Sequence, residues 1–290
     1  MNFTYPRFVD TVKVAKFGGT SLATPANIRR VVDIIRSDPS RRVIVVSAPG
    51  KRTPDDTKIT DLLIQLSREF DETIFNQFAD RFLEIEHAFA LSTNIKHELE
   101  LFRKQLLARK LTRDYIISRG EYFMAKLMSS ILSFEFIDIE STHAVTIKCR
   151  RNRCDGLLAD IITSRENLPM HSHMVIPGFY GMSADGRLHA FSRGGSDISG
   201  AIVARLLKNP RTHITYENWT DVDGIFDLDP NRHSDARQLP RLTTAQAKRI
   251  INAGANVLHP SVFKFTHPVR IPIHIRNTFN PNAHGTYIQD

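Results

Sequence analysis

Apolar positions along the chain fall into two rhythms. VKVAKF (12–17) and RRVIVVSAPG (41–50) are short apolar runs, rich in valine, with the length of buried strands. Between them, TPANIRRVVDIIRSD (24–38) places Ile28, Val31, Val32 and Ile35 at i, i+3, i+4 and i+7, one face of a helix. Thr24 is a suitable N-cap and Pro25 a suitable first helical residue. Strand, helix and strand in this order predict a βαβ unit and a parallel sheet.

The same reading continues downstream. TPDDTKIT (53–60) is a polar loop, and from Asp61 to about Leu111 the pattern is mostly helical, with Leu62, Leu63 and Leu66 on one face. ISRGEYFMAKLMSSILSF (117–134) predicts an amphipathic helix that begins through Gly120–Glu121, and FEFID (134–138) and AVTIK (144–148) predict strands. HMVIPGFYG (173–181) reads as a strand running into a glycine-bearing loop, and LHAFSRGGSD (188–197) as a strand closed by a double-glycine turn. A helix over 198–207, a strand over 212–219, an acidic loop over 220–233, a helix over 243–260 closed near Gly254, and a last strand over 271–279 follow. No internal repeat, low-complexity tract or Pro/Gly-rich linker divides the chain, so one continuous α/β unit is expected.

Composition narrows the class. With 290 residues, 41% of them hydrophobic, the chain can fill a real core. No run of 18 apolar residues predicts a membrane span, and MNFTYPRFVDTVKV lacks the charged-then-apolar order of a signal peptide. Two cysteines, Cys149 and Cys154, make no disulfide framework and suit a reducing, cytoplasmic setting. The net charge of +8 favours anionic ligands without choosing among them.

Candidate chemistry gathers at two glycine turns. KFGGTS (16–21) lies between a predicted strand and a predicted helix. Glycines there allow close backbone approach, exposed amides can face an anion, and Lys16 adds a mobile charge suited to phosphate. The motif is neither G-x-G-x-x-G nor a P-loop. A tight turn with a surface lysine accounts for it equally well. SRGGSD (192–197) repeats the arrangement, with Ser196 or Asp197 a candidate N-cap and Arg193 able to pair bidentately with a carboxylate or phosphate. Two such turns in one chain favour the ligand reading.

These turns, with VIVVSAPG (43–50) and Thr60–Asp61, SRGEY (118–122), PGFYG (177–181), FSRGGSDISG (191–200), YENWTDVDGIFDLDP (216–230), GANVLHP (254–260) and IPIHIRNTFNPNAHGT (271–286), resemble the aspartate kinases of the amino-acid kinase superfamily. The matches follow the family's order over residues 12–288. The resemblance implies a three-layer α/β/α sandwich with a mostly parallel central sheet, the carbamate kinase-like fold. A single domain over 1–290 is implied, with an amino-acid lobe to about residue 205 and a nucleotide lobe from about 206. The implied reaction transfers the γ-phosphoryl group of ATP to the β-carboxylate of L-aspartate, opening the route to lysine, threonine and methionine. A carboxylate nucleophile is ionised at neutral pH, so no strong base is needed, and the task is to bring two anions together. By motif, Lys16 and Asp197 are the catalytic candidates, with the amides of Gly18 and Gly19 beside Lys16. Glu121 would accept the substrate ammonium, Arg193 would clamp a substrate carboxylate, and Ser47, Thr60, Phe179 and Ser196 would line the amino-acid pocket. Thr220, Asp221, Phe226 and Asp229 would sit at the nucleotide. Mg2+ is expected to be held mainly by the ATP phosphates. The implied partners are L-aspartate and MgATP, and the resemblance leaves room for a homodimer and for a separate ACT-domain partner; no membrane is expected.

Some positions depart from the family pattern. Ser192 stands where glycine is usual, and Asn231 and Asn256 stand where arginine and lysine are usual, which would remove two cations from the nucleotide phosphates. The chain stops at Asp290, where aspartate kinases continue into ACT domains, so feedback inhibition by lysine or threonine is not expected. Other signals are weaker. DVDGIFDLDPN has its glycine fourth, not sixth, and is a poor calcium loop. KCRRNRC (148–154) reads as a solvated basic face before a zinc or nucleic-acid site. Two alternatives stay open: a relative phosphorylating another small carboxylate, and a non-catalytic nucleotide-binding paralogue.

Overall fold

The computed structural model of the chain describes residues 10–148, 160–161, 168, 173–192, 194–228, 230, 232–255 and 257–290. The KCRRNRC cluster beyond Lys148, Arg193, Asp229, Asn231 and Asn256 lie outside the described residues.

The first βαβ unit forms as its pattern predicts: β1 (Asp10–Phe17), α1 (Pro25–Arg36) and β2 (Val43–Val46). The Thr24 side chain accepts from the Asn27 amide and caps α1, with Pro25 opening the helix. Three helices fill the stretch that follows, α2 (Ile59–Leu66), α3 (Glu72–Ala88) and α4 (Ile95–Leu107). Then come α5 (Arg113–Leu132), β3 (Glu135–Phe136), α6 (Ile139–Thr142), β4 (Thr146–Lys148) and β5 (Asp160–Ile161). The second glycine turn is framed by β6 (Met174–Pro177), β7 (Tyr180–Ser183), β8 (Leu188–Ala190) and α7 (Gly195–Leu207). The chain closes with β9 (Thr212–Thr220), β10 (Arg241–Leu242), α8 (Thr244–Asn252), α9 (Val262–Thr266), β11 (Ile273–Asn277) and β12 (Thr286–Ile288).

Eight strands form one sheet in the order β10-β12-β11-β9-β1-β2-β6-β3, and only the β11–β12 pair is antiparallel. A second sheet, β5-β4-β7-β8, is mixed. β1 is the hinge of the topology: β2 pairs on one side and β9 on the other, Asp10–Phe17 against Thr212–Trp219. Period-2 alternation sends Val12 and Val14 to the face packed by α7 and α9, and Ala15 and Phe17 to the face packed by α1, α2, α3 and α5. On the second face Phe75, Phe78, Phe82, Phe102 and Phe123 pack ring to ring and fix α5 against α3 and α4.

Several boundaries differ from expectation. α5 begins at Arg113, not at Gly120–Glu121, because Thr112 accepts from the Tyr115 amide and caps it. The expected helix over 243–260 ends at Asn252 and a separate α9 follows, while the strand near the C-terminus is a pair, β11 and β12. Neither Ser196 nor Asp197 caps α7; Gly194 is its N-cap, in the left-handed conformation at φ 78°. No helix among the described residues is long and apolar enough to cross a membrane.

Candidate active site

The carboxyl ends of β1, β2 and β9 meet where the sheet order reverses, the place where open α/β sheets take ligands. Lys16 lies at this end of β1, buried, on the face turned to α7. Its Nζ is 2.6 Å from Oδ1 of Asp197 in the first turn of α7. The other oxygen of Asp197 accepts the His259 amide at 3.0 Å, and the Tyr216 hydroxyl donates to its carbonyl at 3.1 Å. Strand β1, helix α7, strand β9 and the 257–261 turn are thus joined at one residue, Asp197. Gly194 is needed twice over, for its positive φ and because a Cβ would lie 2.9 Å from the His259 ring.

The turns after β1 and β2 interlock. The Gly18 amide donates to the Trp219 carbonyl at 3.1 Å, and the Gly50 amide to the Gly19 carbonyl at 2.8 Å. A Cβ on Gly50 would sit 2.7 Å from the Gly19 carbonyl carbon, and one on Gly18 would sit 3.5 Å from Nζ of Lys16. The ammonium therefore lies directly beside the glycine turn. Ser47, half-buried, donates its amide to the Phe17 carbonyl at 3.1 Å. Thr60, also half-buried, is in the first turn of α2, which has no side-chain cap.

Glu121 is buried in the middle of α5, with 4% of its surface exposed. Gly120 beside it lets the helix approach the 47–50 turn, since a Cβ there would meet the Ala48 Cβ at 2.7 Å. The Ala48 amide donates to the Glu121 carboxylate, while Oε2 has no partner. Burial pushes the carboxyl up to about 8, against the opposing pull of the Ala48 amide, its own amide and the Lys16 charge. A solvated position at a helix start does not describe this residue.

The remaining candidates are placed as follows. Phe179 sits between β6 and β7 at φ 76°, a strained conformation for an aromatic residue, held by its amide donating to Ser199 Oγ at 2.9 Å. Ser196 is buried in the first turn of α7, against Gly178, where a Cβ would meet its Oγ at 2.8 Å. Thr220 ends β9 and accepts the Thr278 amide at 2.9 Å, Asp221 is exposed, and Phe226 is half-buried and bridged to Gln238. Lys16, Gly18, Gly19, Asp197 and Glu121 are brought together, while Thr220 lies at the end of β9 and Asp221 and Phe226 just past it. The acidic loop is held by amides, Asp223 accepting from Asn277 at 2.8 Å and Asn280 at 3.1 Å. Among the described residues no three His, Cys, Asp or Glu side chains form a metal-ligating group.

Sequence reasoning missed the backbone donors of Ala48 and His259. Amides carry no residue signature, but the glycines packed against Ala48 and His259, Gly120 and Gly194, were visible.

The amino acid kinase family model matches residues 11–277. The chain belongs to the amino acid kinase family. Aspartokinase 3 of Bacillus subtilis is 31% identical over 96% of the chain, which spans 63% of that protein. Among solved structures, Clostridium acetobutylicum aspartate kinase superposes with a TM-score of 0.82 at 33% identity, over 96% of this chain and 62% of that one. E. coli aspartokinase III in complex with aspartate and ADP gives 0.77 at 26% identity, over 96% and 64%. The chain thus spans a little under two thirds of these relatives, and it shares their α/β sandwich with a mostly parallel sheet.

Proposed function

We propose that the chain phosphorylates the β-carboxylate of L-aspartate with MgATP, giving 4-phospho-L-aspartate and ADP. The observation that carries this reading is the buried Glu121, whose oxygen Oε2 lacks a partner within the field of Lys16. A buried carboxyl without a cation invites one from a ligand, and the ammonium of an amino acid supplies it. The likeness to aspartokinases, one of them crystallised with aspartate and ADP, supports the choice of ligand.

The reaction needs no base. A carboxylate oxygen of the substrate attacks the γ-phosphorus, the bond from phosphorus to the β,γ-bridging oxygen breaks, and ADP leaves with that oxygen. Charge neutralisation is the main requirement. Lys16 supplies a cation at the glycine turn, and Asp197 with the His259 amide fixes its position. The first amides of α7 are free of any side-chain cap and suit an anionic group. Ser47, Thr60, Phe179, Ser196 and Arg193 complete the amino-acid pocket in this reading, with Thr220, Asp221, Phe226 and Asp229 toward the nucleotide. Mg2+ arrives with the nucleotide as part of the substrate. The amino acid binds to the part of the chain before about residue 205 and ATP to the part after it.

The test is acyl-phosphate formation, trapped with hydroxylamine, on L-aspartate beside L-glutamate, N-acetyl-L-glutamate and a no-substrate control. Signal confined to L-aspartate is expected. Signal on another carboxylate alone would replace the substrate, and silence on all with ATP still bound would replace the reaction.

A further inference from the structure

Arg81, on α3, is a charged side chain with only 3% of its surface exposed, and it touches neither Lys16 nor Glu121. Its guanidinium reaches the two turns that hold them. Nη2 donates to the Gly50 carbonyl at 2.7 Å and to the Ala23 carbonyl at 3.1 Å, and Nη1 donates to Asp56 Oδ2 at 2.8 Å. Ala23 closes the 3-10 turn that follows Gly18–Gly19. Gly50 and Asp56 belong to the loop that follows β2 and carries Ser47 and Ala48.

The rest of the network points the same way. Asp56 also accepts from the Arg52 amide at 2.9 Å and Nε at 3.0 Å, and Arg52 reaches back to Glu84 of α3 at 3.0 Å. The Gly50 amide holds the Gly19 carbonyl at 2.8 Å, and the Ala48 amide holds the Glu121 carboxylate. One guanidinium therefore satisfies acceptors on both turns, and the turns in their turn satisfy the site. Only the planar fork of arginine matches three acceptors with two nitrogens; an ammonium is a point charge.

We propose that Arg81 is a positioning residue that locks the Gly18–Ala23 and Ser47–Asp56 turns against α3 and so sets the Ala48 amide on Glu121. The proposal rests on the reading of Glu121 as the ammonium site. Loss of the fork misplaces the Ala48 amide and with it the amino-acid pocket, while none of its hydrogen bonds reaches Thr220, Asp221 or Phe226 on the nucleotide side, and misplacement on the order of 1 Å can cost catalysis about 10²-fold.

The experiment compares Arg81→Lys and Arg81→Met with the wild-type chain and with Arg103→Met, which breaks a surface pair between α4 and Glu72 of α3, the helix that carries Arg81. The KM for L-aspartate is expected to rise about 10-fold or more in both Arg81 variants, with the KM for ATP within about 2-fold of wild type. A merely structural role would lower kcat through the folded fraction and leave both KM values alone; that result, or equal KM changes in Arg103→Met, overturns the proposal. If Arg81→Met does not fold, Arg81→Lys decides. Hydrogen exchange gives a readout independent of the substrate: the Ala48 and Gly50 amides exchange faster in Arg81→Lys. Unchanged exchange overturns the lock, whereas faster exchange in a protein that never uses aspartate faults the functional reading and leaves the lock standing.

Discussion

Among the described residues two glutamates lie buried, one on each side of the line between architecture and chemistry. Glu217, in the middle of β9, is fully buried. Arg41 Nε lies at 2.7 Å, the Trp219 indole N–H at 2.9 Å and Lys13 Nζ at 3.4 Å, with Arg276 stacked over the Trp219 ring at 4.5 Å. Burial raises its pKa, but Arg41, Lys13 and the indole more than offset this, and the carboxyl is held below its ordinary value. Glu121 is almost as deeply buried, receives amides, has no cation in salt-bridge contact among the described residues, and is pushed up to about 8. The same side chain in the same low dielectric takes opposite protonation states, and the difference is the partner. Where the fold supplies the cations, the acid binds strands together. Where it withholds them, the acid is left for the ammonium that we propose a ligand supplies.

The comparison breaks most sharply through Lys16. Lys16→Ala is expected to lower turnover at least about 10³-fold with native-like circular dichroism, measured by the hydroxamate assay. Turnover near wild type would remove the cation from the mechanism. Next in size, the two glutamates should respond in opposite directions. Glu217→Gln is expected to cost about 3–5 kcal/mol in a denaturant titration, because it removes the charge that pairs with the buried Arg41. Glu121→Gln is expected to raise the KM for L-aspartate about 10²-fold without destabilising the free protein.

The pH dependence sharpens the contrast. Glu121 ionises near 4.5 when unfolded and near 8 when folded, so between these values the folded state binds the extra proton. Its contribution to stability is therefore greatest below about pH 4.5 and is lost as pH rises to about 8, by on the order of 5 kcal/mol at most. Glu121→Gln should flatten that slope in chemical denaturation, and L-aspartate should stabilise the wild-type chain more strongly at pH 8 than at pH 6. Smallest of all, Thr112→Ala removes the cap of α5 and is expected to cost about 1 kcal/mol with kcat/KM unchanged, since Glu121 sits more than two turns inside the helix.

The parts that a sequence shows well are those with local causes. The first βαβ unit follows from Thr24, Pro25 and the spacing of Ile28 and Val31, and each is a contact within a few residues. Lys16 beside two glycines was legible for the same reason. The start of α5 was not, because Gly120 looks like a breaker until Ala48 packs where its side chain would be. The strands over 144–148 and from Leu188 were legible, but their assembly into a second sheet was not, because its strands are two to four residues long and the β4–β7 pair that joins them bridges distant segments. Glu121 was named by resemblance to a family, but its missing cation is a property of tertiary packing. The Glu217 network is the converse case. Arg41 and Glu217 stand 176 positions apart, and only the β2-β1-β9 order brings them together.

The most direct test of the ligand-waiting carboxyl is calorimetric titration of L-aspartate at pH 7 in two buffers that differ in ionisation enthalpy. A carboxyl with a pKa of about 8 is roughly nine-tenths protonated at pH 7 and must lose its proton when the substrate ammonium arrives. Release of close to one proton per aspartate is expected from the wild-type chain at pH 7, falling to about 0.5 at pH 8, with close to none from Glu121→Gln at either pH. Tight binding by the wild-type chain at pH 7 with no proton released would contradict the account.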